Sequence, residues 1–263
     1  MKASSIRKPA VVGTFYPGDP AELREMVSEF LKQAKPSGVV PKAIIAPHAG
    51  YIYSGPIAGS AYAQIQPARG KIKRVILLGP AHRVPFRGLA ATGADQFSTP
   101  LGNVPIDREA IDQIKGLKQV AILDAAHSME HSLEVQLPFL QEVLGEFSLV
   151  PLAVGDATTE DVAEVLEKLW GGPETLIVIS SDLSHYHDYR TAGKMDRATS
   201  KAIESLRPQD VGYEQACGRI PISGLLVAAK RHGLRAQTID LRNSGDTAGS
   251  KDKVVGYGAY VLV

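Results

Sequence analysis

The chain has 263 residues, and its 29 Lys and Arg against 28 Asp and Glu leave a net charge of +1. That balance removes the electrostatic footprint of a general nucleic-acid or anionic-membrane binder, while 44% apolar residues supply a sizeable core and exclude a disordered chain. A single cysteine, Cys217, excludes an internal disulfide framework and any structural zinc site built on two or more cysteines, and it fits a reducing compartment.

The N-terminal stretch is interrupted by Pro9, Gly13, Pro17, Gly18 and Pro20, so neither a signal peptide nor an anchor is expected there. No run of apolar residues is long enough to span a bilayer, and the expected location is the cytoplasm. Leu23, Met26, Val27, Phe30 and Leu31 share one face of a helix predicted over 20–34, opened by Asp19 or Pro20. A short continuous run, 42–46, then reads as a buried strand, followed by a helix over 55–65. A second such strand is predicted at 74–79, and Gly93–Gly102 reads as a loop. Helices are predicted over 107–115 and 133–144, then a strand at 147–154. The helix over 159–170 has Thr158 or Thr159 as its cap and Glu160 and Asp161 in its first turn, and Gly171-Gly172-Pro173 stops it. A strand at 175–180, helices over 188–206 and 220–232, and a closing strand at 253–263 complete the chain. Strands separated by helices imply parallel pairing and a sheet with helices on both faces. With no repeat and no linker, the chain is expected to form a single α/β domain over 1–263.

Three of these strands end in polar turns. Strand 42–46 runs into Pro47-His48, strand 74–79 into Pro80-Ala81-His82, and strand 175–180 into Ser181-Asp182-Leu183-Ser184-His185. In an open parallel sheet the ligand crevice lies beyond the carboxyl ends of the strands. If the three strands are neighbours, His48, His82, Asp182 and His185 converge on one cleft. Two neutral imidazoles and one anion hold a divalent metal while leaving positions open. Asp182, Glu130 or the thiolate of Cys217 could supply that anion. A histidine left over would serve as general acid and base.

Other histidines read differently. His127 and His131, at i and i+4, would share a helical face, but Glu130 between them is not in the zincin position. His232, beside Lys230 and Arg231, reads as a cation at a helix C-terminus, and His187 as a solvated neighbour of His185. Lys71-Ile72-Lys73-Arg74 reads as the charged start of a strand. Gly55 and Gly59 read as a close-packed helix start.

Ala46-Pro47-His48-Ala49-Gly50-Tyr51 resembles the opening motif of the Memo family. Gly13-Thr14-Phe15-Tyr16-Pro17, Gly79-Pro80-Ala81-His82, Glu130-His131-Ser132-Leu133-Glu134, Ser180-Ser181-Asp182-Leu183-Ser184-His185 and Cys217-Gly218-Arg219-Ile220-Pro221 match its further motifs. In prokaryotes this is similar to the B component of the AmmeMemoRadiSam set, whose other members would be partner proteins. The resemblance implies the fold of class III extradiol ring-cleavage dioxygenases, which hold non-haem iron(II) with two histidines and a glutamate. Carried over by motif, His48 and His82 fall on the ligand histidines, Cys217 on the carboxylate and His185 on the acid/base histidine. Asp182 is its polar neighbour, and His131 a group that orients a ligand. The thiolate departs from the dioxygenase pattern and puts ring cleavage in question. It favours iron, copper or zinc over magnesium or calcium, with iron(II) the first expectation.

Three readings follow. The first is a non-haem iron, dioxygenase-like centre acting on a small molecule. The second is a zinc-dependent hydrolase. In the third the cleft holds a peptide or partner protein without catalysis.

Overall fold

The computed structural model describes residues 4–36 and 38–263, so the first three residues of the N-terminal stretch lie outside it. In chain order the elements are β1 (Ile6–Arg7), α1 (Pro20–Gln33), β2 (Ala43–Ala46), α2 (Tyr51–Tyr62), β3 (Arg74–Pro80), β4 (Leu89–Ala91), β5 (Gln96–Thr99) and β6 (Gly102–Pro105). They continue with α3 (Arg108–Ile114), β7 (Val120–Ile122), α4 (Ala125–Ser128), α5 (Leu137–Leu144), β8 (Ser148–Val154), α6 (Thr159–Leu169) and β9 (Thr175–Ser180). The last are β10 (His185–His187), α7 (Tyr189–Glu204), α8 (Arg219–Arg231), β11 (Ala236–Asn243) and β12 (Val254–Leu262).

The central sheet runs β10-β12-β2-β9-β3-β8-β4-β7, with β11 pairing β12, and β1-β5-β6 form a small second sheet. Its middle is parallel: β2 pairs β9, β9 pairs β3 and β3 pairs β8 in the same direction. The flanks are mixed. The closing strand β12 runs antiparallel to β2 and to β11, because β11 and β12 are joined by a short turn segment rather than by a crossover helix. Every residue of β2 and β9 is buried, as a strand covered on both faces must be. The cover comes from two helix groups, α1, α2 and α5 contacting one another, and α6 contacting both α3 and α8. The result is an α/β fold with a mixed, largely parallel sheet.

Local chemistry sets the helix ends. Asp19 accepts hydrogen bonds from the backbone N–H of Ala21 and Glu22, Pro20 opens α1, and Leu23, Val27 and Leu31 form its buried stripe. Thr158 and Asp161 exchange hydrogen bonds in a capping box at α6. Two helices differ from the sequence reading. α2 begins at Tyr51 rather than residue 55, since the backbone N–H groups of Tyr53 and Ser54 already bond Gly50 O, and Pro56 is accommodated inside. The helix expected at 133–144 starts as a 3₁₀ turn over Glu134–Gln136 before α5, which has Pro138 in its first turn. No helix among the described residues is long and apolar enough to cross a membrane.

Candidate metal centre

β2, β9 and β3 are adjacent and parallel, so their carboxyl ends open on the same edge of the sheet. Ala46 pairs with Ser180, which brings the loop after β2 against the loop after β9. There the backbone N–H of His48 donates to Asp182 Oδ1 at 2.7 Å, and Ser181 N–H to Ala46 O at 2.9 Å. A cavity of about 680 Å³ lies over these ends, and His48, His82, His131, Asp182 and His185 all line it. The four residues expected to converge do so, and His131 joins them.

Hydrogen bonds decide which ring nitrogens are free. Ser180 Oγ donates its proton to Ser132 O at 2.6 Å and accepts from Gln136 Nε2 at 2.7 Å. It therefore has only a lone pair to offer His48 Nδ1, 2.9 Å away. His48 must carry its proton on Nδ1, leaving a lone pair on Nε2. Burial, then the neighbouring His82 ring, holds His48 down at about 3, so it is a neutral donor at physiological pH. His82 Nδ1 lies 3.0 Å from Glu130 Oε1, an arrangement that likewise puts the proton on Nδ1 and frees Nε2. Glu130 also accepts from the backbone N–H of His82, His131 and Ser132. Burial pushes its carboxyl up, but the hydrogen bonds and charge of His82 outweigh that and hold it at about 2. His131 is held at about 4 by burial and then by His48, and its Nδ1 lies 3.4 Å from Glu130 Oε1.

One nitrogen from each of His48, His82 and His131 lies within 4.8 Å of the other two. The rings meet edge-on between His48 and His82, with centroids 5.2 Å apart, and stack between His82 and His131 at 4.7 Å. Three converging imidazoles, two of them oriented by hydrogen bonds at Nδ1, fit a divalent cation. Cys217 stands beside this group, with Sγ 3.4 Å from His48 Nε2 and accepting the Asp182 N–H at 3.3 Å. Burial of the sulfur, then the Asp182 carboxylate, pushes its thiol up to about 12. Gly218 is needed next to it, because a Cβ there would stand 2.6 Å from Ser181 Cβ. Asp182 Oδ2 lies 4.0 Å from His48 Nε2, and burial raises the Asp182 carboxyl.

His185 reaches the cavity from β10, whose pairing with β12 is bulged. Tyr186 beside it has φ of 61°, an unfavourable conformation for an aromatic residue. His187 lines an adjoining lobe together with His185 and Cys217.

His127 and His131 do not share a helical face. α4 ends at Ser128, and His127 points away, with Nε2 2.9 Å from Ala90 O. The loop between them is instead pinned by Arg7, which donates to His127 O and Glu130 O and pairs with buried Glu134. Sequence reasoning missed Ser180, Gln136 and the Arg7–Glu134 pair. Ser180 and Glu134 stood inside recognised motifs, but no spacing revealed their partners.

The family model for Memo-like proteins matches residues 7–261. A MEMO1 family protein of Aquifex aeolicus is 36% identical, over 96% of this chain and 97% of its own. One from Aeropyrum pernix is 38% identical over 97% and 98%, and one from Nitrosopumilus maritimus 35% over 98% and 100%. Among solved structures, the uncharacterized protein JW3007 from Escherichia coli K12 aligns with a TM-score of 0.50 over 83% of this chain and 98% of that one. At 11% identity it speaks for the fold alone.

Proposed function

The chain belongs to the Memo family, and from that premise we propose that its cleft is a metal centre in which His48, His82 and Cys217 hold a divalent ion, iron(II) before zinc or copper. The observation that carries this reading is the fixed tautomer of His48: its Nε2 lone pair faces Cys217 Sγ at 3.4 Å, as two ligands of one ion would. A thiolate among imidazoles selects a soft or borderline transition metal. When bound, the metal supplies Lewis acidity and, as iron(II), a redox couple for oxygenase-type chemistry on a small substrate. The protein's share is positional. Ser180 and Glu130 orient the two imidazoles, and Asp182 fixes the backbone of His48. His185, on the cavity wall, takes and returns a proton of the substrate, with the Asp182 carboxyl nearby to stabilise its charged form.

The convergence of three imidazoles favours a second reading, in which His131 replaces Cys217 in an all-histidine zinc site suited to hydrolysis. Metal analysis of anaerobically purified protein separates the two. Stoichiometric iron lost in Cys217→Ser and His48→Ala supports the first. Zinc kept by Cys217→Ser but lost in His131→Ala supports the second. Protein that retains no metal after each has been offered overturns both.

A further inference from the structure

Within Cys217–Pro221, Arg219 has no task in the metal reading. It lines the adjoining lobe of the cleft, about 550 Å³, which shares His82, His185 and Tyr186 with the cavity over the imidazoles. Half of the chain's fourteen arginines, Arg7, Arg24, Arg74, Arg108, Arg207, Arg231 and Arg242, are paired with carboxylates. Arg219 is not: among the described residues no acidic side chain pairs with it, although Glu214 lines the same lobe. Its guanidinium lies instead over the ring of exposed Tyr213, 5.2 Å from the centroid, a contact that leaves its N–H groups unspent.

A guanidinium with free N–H groups, lining a cavity, is a seat for a planar two-oxygen anion. We propose that this lobe binds the carboxylate of a small organic monoanion through Arg219, the rest of that molecule passing His185 and Tyr186 to face His82. The fixed charges of the lining argue for a monoanion. Glu214 lines the same lobe, so its carboxylate repels a doubly charged phosphate ester more strongly than a singly charged carboxylate. The far end of such a molecule meets the metal only if the preceding reading holds, but the anion seat itself needs no metal.

The test therefore uses metal-free, full-length protein, titrated calorimetrically with benzoate, benzamide and inorganic phosphate, while the Arg219 Nε–H resonance is followed by NMR. Benzoate is expected to bind and shift that resonance, benzamide to fail, and phosphate to bind no more tightly than benzoate. Arg219→Gln should weaken benzoate by about tenfold or more. Arg219→Lys, which keeps the charge and loses the fork, should weaken it less, and Glu214→Gln should strengthen it. Zinc uptake by Arg219→Gln should equal that of the parent protein, which reports on the metal reading separately. Absence of benzoate binding, an affinity indifferent to Arg219→Gln, or phosphate binding more tightly through Arg219 would each overturn the proposal. So would loss of zinc uptake in both Arg219 variants, since Arg219 would then belong to the metal site or the scaffold.

Discussion

Glu130 Oε1 stands 3.0 Å from His82 Nδ1, and the carboxylate that makes this contact is buried and saturated by the backbone N–H groups of His131 and Ser132 in its own loop and of His82. One side chain thus orients an imidazole and shapes the loop that delivers His131. In Glu130→Gln the amide oxygen can replace one carboxylate oxygen, but the amide NH₂ must then face a backbone N–H. Metal affinity, measured by competition with a chelator, is expected to fall about 10–100-fold. An unchanged affinity would detach Glu130 from the site. The folded-state carboxyl, held at about 2 below its ordinary 4.5, also contributes stability above the ordinary value that is lost as pH falls through about 2. The stability gap between parent and Glu130→Gln should therefore narrow over that window.

Glu134 carries a different burden. Its carboxylate is fully buried and accepts from Arg7, from the backbone N–H of Ala10 and Val11 at 2.7 and 3.0 Å, and from Tyr16 Oη at 2.6 Å. Removing it leaves Arg7 charged, buried and unpaired. Glu134→Ala is expected to lose ~3–5 kcal/mol in urea unfolding, and the paired change Arg7→Met with Glu134→Leu less, since it removes the unpaired charge but still strands the donors of Ala10, Val11 and Tyr16. Because Arg7 also holds the carbonyls of His127 and Glu130, metal affinity should fall in the single variant too. A loss below about 1 kcal/mol would mean that Arg7 finds another partner or water.

These two glutamates mark where the sequence stopped being legible. The ends of β2, β3 and β9 could be read because each strand is a short apolar run broken by a turn, and adjacency in a parallel sheet then places His48, Asp182 and His82 together. β4, β5, β6 and β7 are only three or four residues long, and β11 is charged and pairs with no strand but β12 among the described residues, so no apolar run announces them. His131 suggested a helical pair with His127, whereas its place is set by Glu130 and Arg7, partners one residue and more than a hundred away. Periodicity encodes faces of elements, and a loop held by long-range hydrogen bonds has no period.

Gly59 tests the scaffold apart from the site. α1 and α2 approach so closely that a Cβ at Gly59 would lie 2.8 Å from both Phe30 Cβ and Phe30 O. The backbone oxygen cannot rotate away, so the helices must part. Gly59→Ala is expected to cost ~1–3 kcal/mol in thermal or urea unfolding, with metal content unchanged. Gly116, whose added Cβ would meet nothing within 4 Å, is the control: Gly116→Ala should be neutral or slightly stabilising. Equal effects at both positions would remove the close approach as the cause.

Proton release discriminates the two candidate ligand sets without assuming any activity. The Cys217 thiol, pushed up to about 12 by burial and Asp182, is protonated at neutral pH. Binding a metal as thiolate must expel that proton, so affinity should rise about tenfold per pH unit between about pH 6 and 8. His48 and His131, held at about 3 and about 4, are already neutral there and release nothing. Titration of zinc into weakly buffered parent protein should therefore liberate about one proton per ion more than titration into Cys217→Ser. If the two release the same number, the sulfur is not a ligand, and the third position passes to His131, the third imidazole of the cluster.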